Sequence, residues 1–588
     1  MANNVRGGEF LTQPIAAEDV FIPEEFTKEH KAIAKTVKEF IAGEIRSRGD
    51  EIEHVNNDLS RELMQKAGDI GLLAADIPEA YDGLALDKIS SLIISDALGE
   101  GAGSFTITEL NHTGIGTLPL AFFGSEDQKQ RYLPGLSSGE LIGAFGLTEP
   151  DAGSDALNAQ TTAELSEDGT HYVLNGAKTF ITNAGFADLI FTFAKVDGKA
   201  FTAFIVEFDA QGISTDAEEV KMGMKGTSTR TVNFNNVRVP VENVLGEVGR
   251  GHVVALNALN MGRFKVGAVC VGNARGTFTE AVKYAQQRVQ FNQPLCEFGL
   301  IKEKIADMAA RLFAGESMMY RTAGLIDAMI KQTDAAGADI GQATADALRE
   351  YMIECSIMKI YGSEIQGFVA DESVQIFGGY GYIYENPAEL AYRNARINRI
   401  WEGTNEINRI TIANTVMKRW ADDQRDSSID PAQFAPIADD DPETLDSQAG
   451  MLELAKAVTR YCISSIFHFF GGNLRAEQEL AGIVSDMMIE IYAFESAYLR
   501  ACKVGSKKDK RNELIARQMA KVLSVRLFDR LRSLAERAMP VLGETSDFFE
   551  TYSKIGALLR KPPINTIALN RQIADQCVQK NGYPFRNI

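Results

Sequence analysis

The segment HYVLNGAKTFITNAGFADLIFTFAKVDGKAFTAFIVEF, at residues 171–208, is the clearest indication of the fold class. Its hydrophobic pattern has a period near two, and it is rich in the β-branched and aromatic residues that favour strands. The same pattern extends from about residue 141 to residue 246, and the pairs Asp168-Gly169 and Asn175-Gly176 predict hairpin turns within it. We therefore predict a small β domain in the middle of the chain.

The sequence on both sides of this domain has helical periodicity. Apolar residues return every three or four positions in HKAIAKTVKEFIAGEI, at residues 30–45, and again in EYMIECSIMKIYGSEIQGFVADESVQIF, at residues 350–377. We expect a mainly α protein with a helical N-terminal domain at 1–140, a middle β domain at 141–250 and a helical bundle at 251–425. An acidic linker at 426–450, rich in Asp, Ser and Pro, then leads to a C-terminal helical extension at 451–588.

Composition excludes several functional classes. The 60 Lys and Arg residues against 80 Asp and Glu residues give a formal charge of −20, which argues against nucleic acid or an anionic membrane as the main partner. The six cysteines show no CxxC pair and no spacing typical of a metal site or a disulfide framework. Without a signal peptide or an apolar stretch near 20 residues, we expect a cytoplasmic protein with no membrane-spanning segment. The apolar stretch at residues 462–472 is too short to span a bilayer, and we expect it to pack as a helix.

Two clusters at the β domain could bind a ligand. The loop GLTEPDAGSD, at residues 146–155, contains small residues that let backbone N–H groups approach an anion or a flat ring closely. In KTFITN, at residues 178–183, strand alternation would put Phe180 and Thr182 on one face, where a heteroaromatic ring could stack and form a hydrogen bond. Taken alone, the loop is more often a surface turn and the strand more often packs in its own core.

Two further clusters lie in the helical bundle. Arg288, just before Phe291, could meet a phosphate with its planar guanidinium, although an isolated arginine is more often a solvated charge. The sequence FGGYGY, at residues 377–382, should end a helix and expose backbone. Farther on, Glu402 follows Trp401, and partial desolvation there would raise the pKa of its carboxyl toward the range of a general base. A structural ion pair is the alternative for this glutamate.

The order and spacing of these four clusters resemble the acyl-CoA dehydrogenase family over residues 24–418. The segments QRYLPGLSSGE, VRVPVENVLGEVGRG and WEGTNEINR are specific to that family. Beyond the linker, SDMMIEIYAFESAYLRACK and NRQIADQ resemble the C-terminal extension of its very-long-chain branch. The resemblance implies a helical N-terminal domain, a small β-barrel or sandwich middle domain, a four-helix bundle and an extra helical domain.

The resemblance also implies roles for individual residues. Glu402 would be the catalytic base, with Arg263 beside it. The acyl-CoA substrate would meet Ser154, Asn260, Arg263 and Gly403. FAD would be bound from the loop and strand of the β domain by Phe145, Leu147, Thr148, Gly153, Ser154, Phe180, Ile181 and Thr182, with Thr404, Asn405 and Glu406 near its adenosine end. The FAD of a neighbouring subunit would be held by Arg288, Gln290, Phe291, Gln375, Ile376, Gly378 and Gly379.

The activity that the resemblance implies is FAD-dependent α,β-dehydrogenation of an acyl-CoA to a trans-2-enoyl-CoA, of the fatty acid β-oxidation type. Electrons would pass to an electron-transfer flavoprotein. We expect a homo-oligomer, and a dimer because the extension would cover the surface with which shorter relatives pair dimers. Two alternatives are an acyl-CoA oxidase and a family member kept as an assembly or scaffold protein. Asn158, Asn292 and Leu390 depart from the family pattern away from the proposed chemistry, and Leu110 leaves the acyl chain length open.

Overall fold

A computed structural model describes residues 5–335, 339–422, 444–471, 474, 476–506, 510–541, 548–560 and 563–585. Its N-terminal part is helical. Thr27 begins the first helix, because its side-chain oxygen accepts the N–H of His30 at 3.1 Å. The helices are α1 (Lys28–Phe40), α2 (Gly49–Ile52), α3 (Asn57–Asp69), α4 (Lys88–Gly101), α5 (Phe105–Thr113), α6 (Leu118–Phe123) and α7 (Glu126–Ser138).

The middle of the chain forms an eight-stranded sheet. Its strands are β1 (Gly143–Gly146), β2 (Thr162–Leu165), β3 (His171–Thr182), β4 (Leu189–Val196), β5 (Ala200–Glu207), β6 (Ile213–Thr215), β7 (Thr229–Pro240) and β8 (Val244–Leu245). They pair in the order β6-β7-β3-β2-β4-β5-β8, and β1 pairs in parallel with β4. The predicted central β domain is therefore confirmed.

One predicted hairpin is wrong. Asp168 and Gly169 lie between β2 and β3, as expected of a turn, but Asn175 and Gly176 lie inside β3. The register of β3 against β7 shifts between Leu174 and Gly176, so this pair marks a β-bulge. A side chain at Gly176 would collide with Thr161, at 2.5 Å from its Oγ1, and this close approach explains the glycine without a turn.

Helices resume after the sheet. They are α8 (Gly251–Gln287), α9 (Gly299–Ala335), α10 (Ile340–Glu350), α11 (Met352–Phe377), α12 (Pro387–Ala395) and α13 (Asn405–Asp422). A short hairpin of β9 (Val289–Gln290) and β10 (Gln293–Pro294) separates α8 from α9. Helix α8 packs along both α4 and α11, which buries it on most sides and ties the N-terminal helices to the bundle.

A further helical unit covers the bundle. It contains α14 (Leu445–Phe470), α15 (Gln478–Ser506), α16 (Lys510–Ala538), α17 (Phe548–Leu558) and α18 (Thr566–Gln579). Residues 426–443 of the predicted acidic linker lie outside the described residues, and α14 begins within the range predicted for that linker. Cys462, Ile463 and Ile466 of α14 are buried, so the first half of this apolar stretch packs against the protein as predicted. In its second half Phe469 is 51% exposed, and Gly472 lies outside the described residues.

Buried ion pairs fix this unit in place. Arg500 of α15 reaches Glu24 at 2.8 Å and Glu316 of α9 at 2.7 Å, and Arg321 of α9 pairs with Glu495 of α15 at 2.8 Å. Because breaking such a pair leaves an uncompensated buried charge, each pair penalises displacement of α15 from the bundle. Over the described ranges, no helix is long and apolar enough to cross a bilayer. In the same ranges, no group of three or more His, Cys, Asp and Glu side chains has metal-site geometry.

Candidate active site

Glu402 lies in a strained turn at the start of α13. Its φ is +56° and that of Gly403 is +79°, so two consecutive residues adopt the left-handed conformation. A residue with a side chain reaches this conformation at a cost of roughly 1–2 kcal/mol, whereas glycine adopts it readily. Backbone strain of this kind persists only where surrounding contacts enforce it.

Three side chains supply those contacts by binding the backbone carbonyls of the turn. Arg263 of α8 donates from Nε to the Glu402 carbonyl at 3.2 Å. Asn408 donates from Nδ2 to the carbonyls of Glu402, Gly403 and Thr404 at 3.3, 2.7 and 3.1 Å. Lys359 of α11 donates from Nζ to the Gly403 carbonyl at 2.8 Å. Three helices therefore hold this turn.

The carboxyl group of Glu402 is enclosed and has few partners. Glu402 as a whole residue is half-buried, but its Oε2 has essentially no accessible surface and no hydrogen-bond partner among the described residues. Burial raises the pKa of Glu402 to about 7, and the positive charges of Arg263 and Lys359 limit the rise. A carboxyl group with this pKa is half ionised near neutral pH, as a general base requires.

Gly262 makes room for this carboxyl group, and the sequence analysis missed it. A Cβ atom at position 262 would lie 2.4 Å from Glu402 Oε2 and 2.6 Å from its Cδ. The neighbouring Arg263 is buried, and its NH1 also donates to Asn260 Oδ1 at 3.1 Å. The structure therefore brings Asn260, Arg263, Glu402 and Gly403 together. Gly262 directly precedes Arg263 in the sequence, but only the packing of α8 against the turn reveals its role.

The residues that follow the turn differ in what their side chains contact. Thr404 Oγ1 accepts the N–H of Ile407 at 3.2 Å and so begins α13. Asn405 is buried, and its side chain faces α11, where it contacts Ser363 and Lys359. The side chain of Glu406 is exposed, with a lowered pKa caused mainly by hydrogen bonds to its own backbone and to Thr404.

A second group of predicted residues lies where β1 leaves the sheet. Phe145 and Leu147 are buried, and the Thr148 carbonyl accepts the N–H of Thr179 at 2.9 Å. Gly153 and Ser154 at the far end of the loop are exposed, and a Cβ at Gly153 would meet no atom within 4 Å. The loop therefore lies beside β3, and its Gly153 faces open space.

A buried ion pair that the sequence analysis missed anchors this loop. Lys178 of β3 contacts Glu149 at 2.6 Å, and both side chains are almost fully buried. Glu149 also accepts the N–H of Thr161 at 3.1 Å. Desolvation lowers the pKa of Lys178, and the lysine in turn favours the ionised form of Glu149. This pair connects the loop to the strand that carries Phe180.

Phe180 occupies a β-bulge. Its φ is +59°, and the register of β3 against β7 shifts between Lys178 and Ile181. The bulge interrupts the strict alternation on which the one-face prediction for Phe180 and Thr182 rested. Phe180 is 63% exposed, Ile181 is buried and Thr182 is half-buried. An aromatic side chain is thus presented to solvent next to the loop at 146–155.

Five of the seven remaining predicted residues line a cavity elsewhere on the bundle, whereas Phe291 and Gln375 are not part of its lining. It has a volume of about 440 Å³ and is lined by Tyr284, Arg288, Gln290, Leu295, Ile376, Phe377, Gly378, Gly379, Tyr380 and Ile383. Helix α11 ends at Phe377, and Gly378 adopts a φ of +62°, as the FGGYGY sequence predicts. Tyr284 stacks on Phe377 with ring centroids 4.1 Å apart and forms one wall of the cavity.

This cavity is remote from Glu402. Lys359, which contacts the Glu402 turn, and Ile376, which lines the cavity, lie 17 residues apart on α11. At 1.5 Å per residue, the separation along the helix is about 25 Å. One chain therefore contains two separate groups of predicted residues, one around Glu402 and one around Arg288.

An apolar cluster lies next to the Glu402 turn. It comprises Ile107, Leu110, Met224, Val266, Val269 and Cys270, with Ile397 and Trp401 packed against it. Leu110 of α5 therefore belongs to the same cluster as the residue that precedes Glu402. The cluster supplies the low-dielectric surroundings that raise the pKa of a nearby carboxyl group.

Comparison with protein families gives a consistent result over most of the chain. Models of acyl-CoA dehydrogenase domains match the N-terminal domain at residues 27–140, the middle domain at 144–237 and the C-terminal domain at 249–417. A further acyl-CoA dehydrogenase C-terminal model matches residues 465–552.

Individual proteins show the same similarity. A probable acyl-CoA dehydrogenase of Bacillus subtilis (strain 168) is 41% identical over 589 residues, which cover 98% of each chain. The human mitochondrial very long-chain specific acyl-CoA dehydrogenase is 36% identical over 417 residues, 69% of this chain and 60% of that protein. The crystal structure of a Bacillus anthracis acyl-CoA dehydrogenase complexed with FAD superposes with a TM-score of 0.95 at 40% identity, over 98% of this chain and 100% of that one.

Proposed function

The chain belongs to the acyl-CoA dehydrogenase family of FAD-dependent oxidoreductases, and we propose that Glu402 is the base with which it desaturates an acyl-CoA thioester. The observation that carries this proposal is the enclosed Glu402 carboxyl group, whose Oε2 has no hydrogen-bond partner among the described residues. A structural ion pair would engage that oxygen. An acid–base group needs it free for the α-proton of the substrate.

The backbone of the same residue has a second role in the proposal. Among the described residues, no hydrogen bond uses the Glu402 N–H as donor, so this N–H is available to the thioester carbonyl oxygen. A donor at that oxygen stabilises the negative charge that develops as the α-proton leaves, by roughly 3–4 kcal/mol if a lost oxyanion donor is a guide. We also propose that Ser154, Asn260, Arg263 and Gly403 lie along the bound acyl-CoA.

The residues at the sheet fit a flavin. Gly153 offers open space and backbone N–H groups, and the exposed ring of Phe180 can cover a flat heteroaromatic face. We propose that this surface, with Phe145, Leu147, Thr148, Ile181 and Thr182, orients FAD. When bound, FAD supplies the acceptor for the hydride that leaves the β carbon.

We propose that the remote cavity holds the FAD of a neighbouring subunit in a homodimer. A Cβ at Gly378 or Gly379 would meet no atom within 4 Å, so this wall has room for a ligand, and Arg288 can pair with a phosphate. The surroundings are apolar and exposed: Phe291 is 90% and Tyr382 is 86% exposed. A second subunit would cover such side chains. Gln290, Gln375 and Ile376 belong to the same proposed surface.

A mixed dimer tests this shared site. Glu402→Gln should remove the base, and Arg288→Glu should repel a phosphate, so we expect both homodimers to be inactive. A dimer with one chain of each kind should regain about half of the activity per dimer, because one of its two sites then combines an intact Glu402 with an intact Arg288. The measurement is flavin reduction by acyl-CoA in dimers purified through two different tags.

The mass of the particle provides the control. Light scattering should give a mass near two chains, and a mass near one or four chains would contradict the proposed homodimer. A mixed dimer that stays inactive, while a mixture of wild-type and Arg288→Glu chains is half active, would show that each chain binds FAD by itself.

We further propose that an electron-transfer flavoprotein accepts the electrons and that the reaction serves fatty acid β-oxidation. The family match supports both statements. An acyl-CoA oxidase and a scaffold protein with little turnover remain the alternatives. A panel of acyl-CoAs, from short to long and branched, should include one that bleaches the bound flavin under anaerobic conditions. Stoichiometric peroxide in air would favour the oxidase, and no bleaching by any acyl-CoA would favour the scaffold.

A further inference from the structure

Among the described residues, a buried lysine beside the Glu402 turn has no partner of opposite charge within hydrogen-bond distance. Lys359 of α11 is 0% exposed, and its Nζ donates to the Gly403 carbonyl and to Asn405 Oδ1, both at 2.8 Å. Both acceptors are uncharged. Burying an ammonium group without a charged partner costs free energy, so a lysine that served only to brace the turn would be a costly choice.

A neutral side chain already donates hydrogen bonds to the carbonyls of this turn. Asn408 donates to the same Gly403 carbonyl at 2.7 Å and to the carbonyls on either side. Arg263 of α8 donates to the Glu402 carbonyl. Beyond these hydrogen bonds, Lys359 adds a second positive charge, after that of Arg263, that acts on the Glu402 carboxyl group.

We propose that Lys359 is a positioning residue for the base: its ammonium group holds the Gly403 carbonyl and favours the ionised form of the Glu402 carboxyl. This inference rests on the proposed function of Glu402. The charged or titratable groups that act on Lys359 are Glu402 itself, Arg263 and Cys270 of α8, and Glu406 of α13.

Near neutral pH, there is a range in which both Lys359 and Glu402 are charged. Burial lowers the pKa of Lys359 to about 8, and the pKa of Glu402 is raised to about 7. Below about pH 8 the lysine is charged, and above about pH 7 the glutamate is ionised, so the attraction operates where the base must lose its proton. Arg263 also favours the ionised form of Glu402, and it keeps its charge in every variant described below.

The test is the pH dependence of flavin reduction in the FAD-loaded enzyme. The rate should rise as the pH passes the pKa of Glu402. Lys359→Met removes a positive charge, so the carboxyl holds its proton more tightly and the acid limb should move to higher pH by roughly 1 unit. Lys359→Gln retains an amide donor for the Gly403 carbonyl but not the charge, and it should show the same shift if Lys359→Met does not fold. Lys359→Arg should keep the limb near its original position.

A second measurement reports the protonation of Glu402 without turnover. The infrared carboxylic-acid band that is present in the wild type and absent in Glu402→Gln can be titrated directly. Its midpoint should move upward in Lys359→Met by the same amount as the acid limb. Asn408→Leu removes a neutral donor from the same carbonyls, so it should slow the reaction without moving either midpoint.

Lys456→Met controls for the general loss of a buried lysine. Lys456 is buried in α14 and pairs with Glu495 at 2.5 Å, so its loss should lower thermal stability and leave both midpoints unchanged. Unmoved midpoints in both Lys359→Met and Lys359→Gln would overturn the role proposed for Lys359. That result is distinct from failure of the proposed function, which would appear as normal flavin reduction in Glu402→Gln.

Discussion

Replacing Glu402 with glutamine is expected to slow reduction of the bound flavin by at least ~10²-fold, while the protein stays folded and retains FAD. Glutamine has nearly the shape of glutamate but cannot accept a proton, so the substitution separates base chemistry from packing. Stopped-flow absorbance under anaerobic conditions, with a saturating acyl-CoA that bleaches the wild type, measures this rate. The melting temperature should not fall, because burial disfavours the ionised carboxyl that glutamine replaces.

The chain offers a matched control in Glu354. Its carboxyl group is also buried, and burial likewise raises its pKa to about 7, but it accepts the N–H of Gly8 at 2.7 Å instead of facing the Glu402 turn. Glu354→Gln should therefore leave flavin reduction near the wild-type rate. A wild-type rate in Glu402→Gln would mean that the base lies elsewhere. A lowered melting temperature with a normal rate would identify Glu402 as a structural ion-pair partner.

The substitution Gly262→Ala is expected to slow flavin reduction on the order of 10²-fold, with no loss of folding. The added Cβ would lie 2.4 Å from Glu402 Oε2, so the carboxyl group must move. The carboxyl group is the end of a flexible side chain, so its displacement costs little folding stability. A misplacement of about 1 Å is nevertheless enough to impair a reaction that depends on alignment. Flavin reduction and the melting temperature, measured on the same preparation, separate these two effects.

A double variant shows whether Gly262 acts through Glu402. Gly262→Ala combined with Glu402→Gln should be about as slow as Glu402→Gln alone, because the base is already lost. Gly482→Ala is the control for adding a methyl group to a helix, since a Cβ there would meet no atom within 4 Å. It should keep the wild-type rate. If the two substitutions slowed flavin reduction independently, so that the double variant were slower by the product of the two single effects, the steric role of Gly262 would be contradicted.

Local patterns in the sequence were sufficient for the order of the secondary structure and for the motifs. The change of hydrophobic period predicted the central sheet, because side chains alternate across a strand and repeat every three or four residues along a helix. Glycines in FGGYGY predicted the end of α11, because glycine readily adopts backbone conformations that end a helix. Glu402, Arg288 and Phe180 could be singled out from local patterns, but only their combination in family-like motifs favoured a functional role over the structural alternatives.

Features that depend on contacts between distant residues did not follow from those patterns. The bulges at Gly176 and Phe180 are register shifts of β3 against β7. Because of them, the hairpin predicted at Asn175-Gly176 is absent, and Phe180 departs from the strand alternation that the sequence predicted. The Lys178–Glu149 pair joins positions 29 residues apart, and neither residue is conspicuous by itself. Such pairs are selected by the space and charge around them, which local periodicity does not describe.

Sequence patterns and motifs were enough to identify a mainly α protein with a central sheet, its resemblance to the acyl-CoA dehydrogenases and Glu402 as the candidate base. How Glu402 is held became visible only in the folded chain: Gly262 leaves space for its carboxyl group, Asn408 and Lys359 bind the turn, and burial raises its pKa to about 7. Motifs are encoded by residues that lie close together along the chain. Steric clearance, dielectric surroundings and charge at a carboxyl group are sums over residues that meet only after folding.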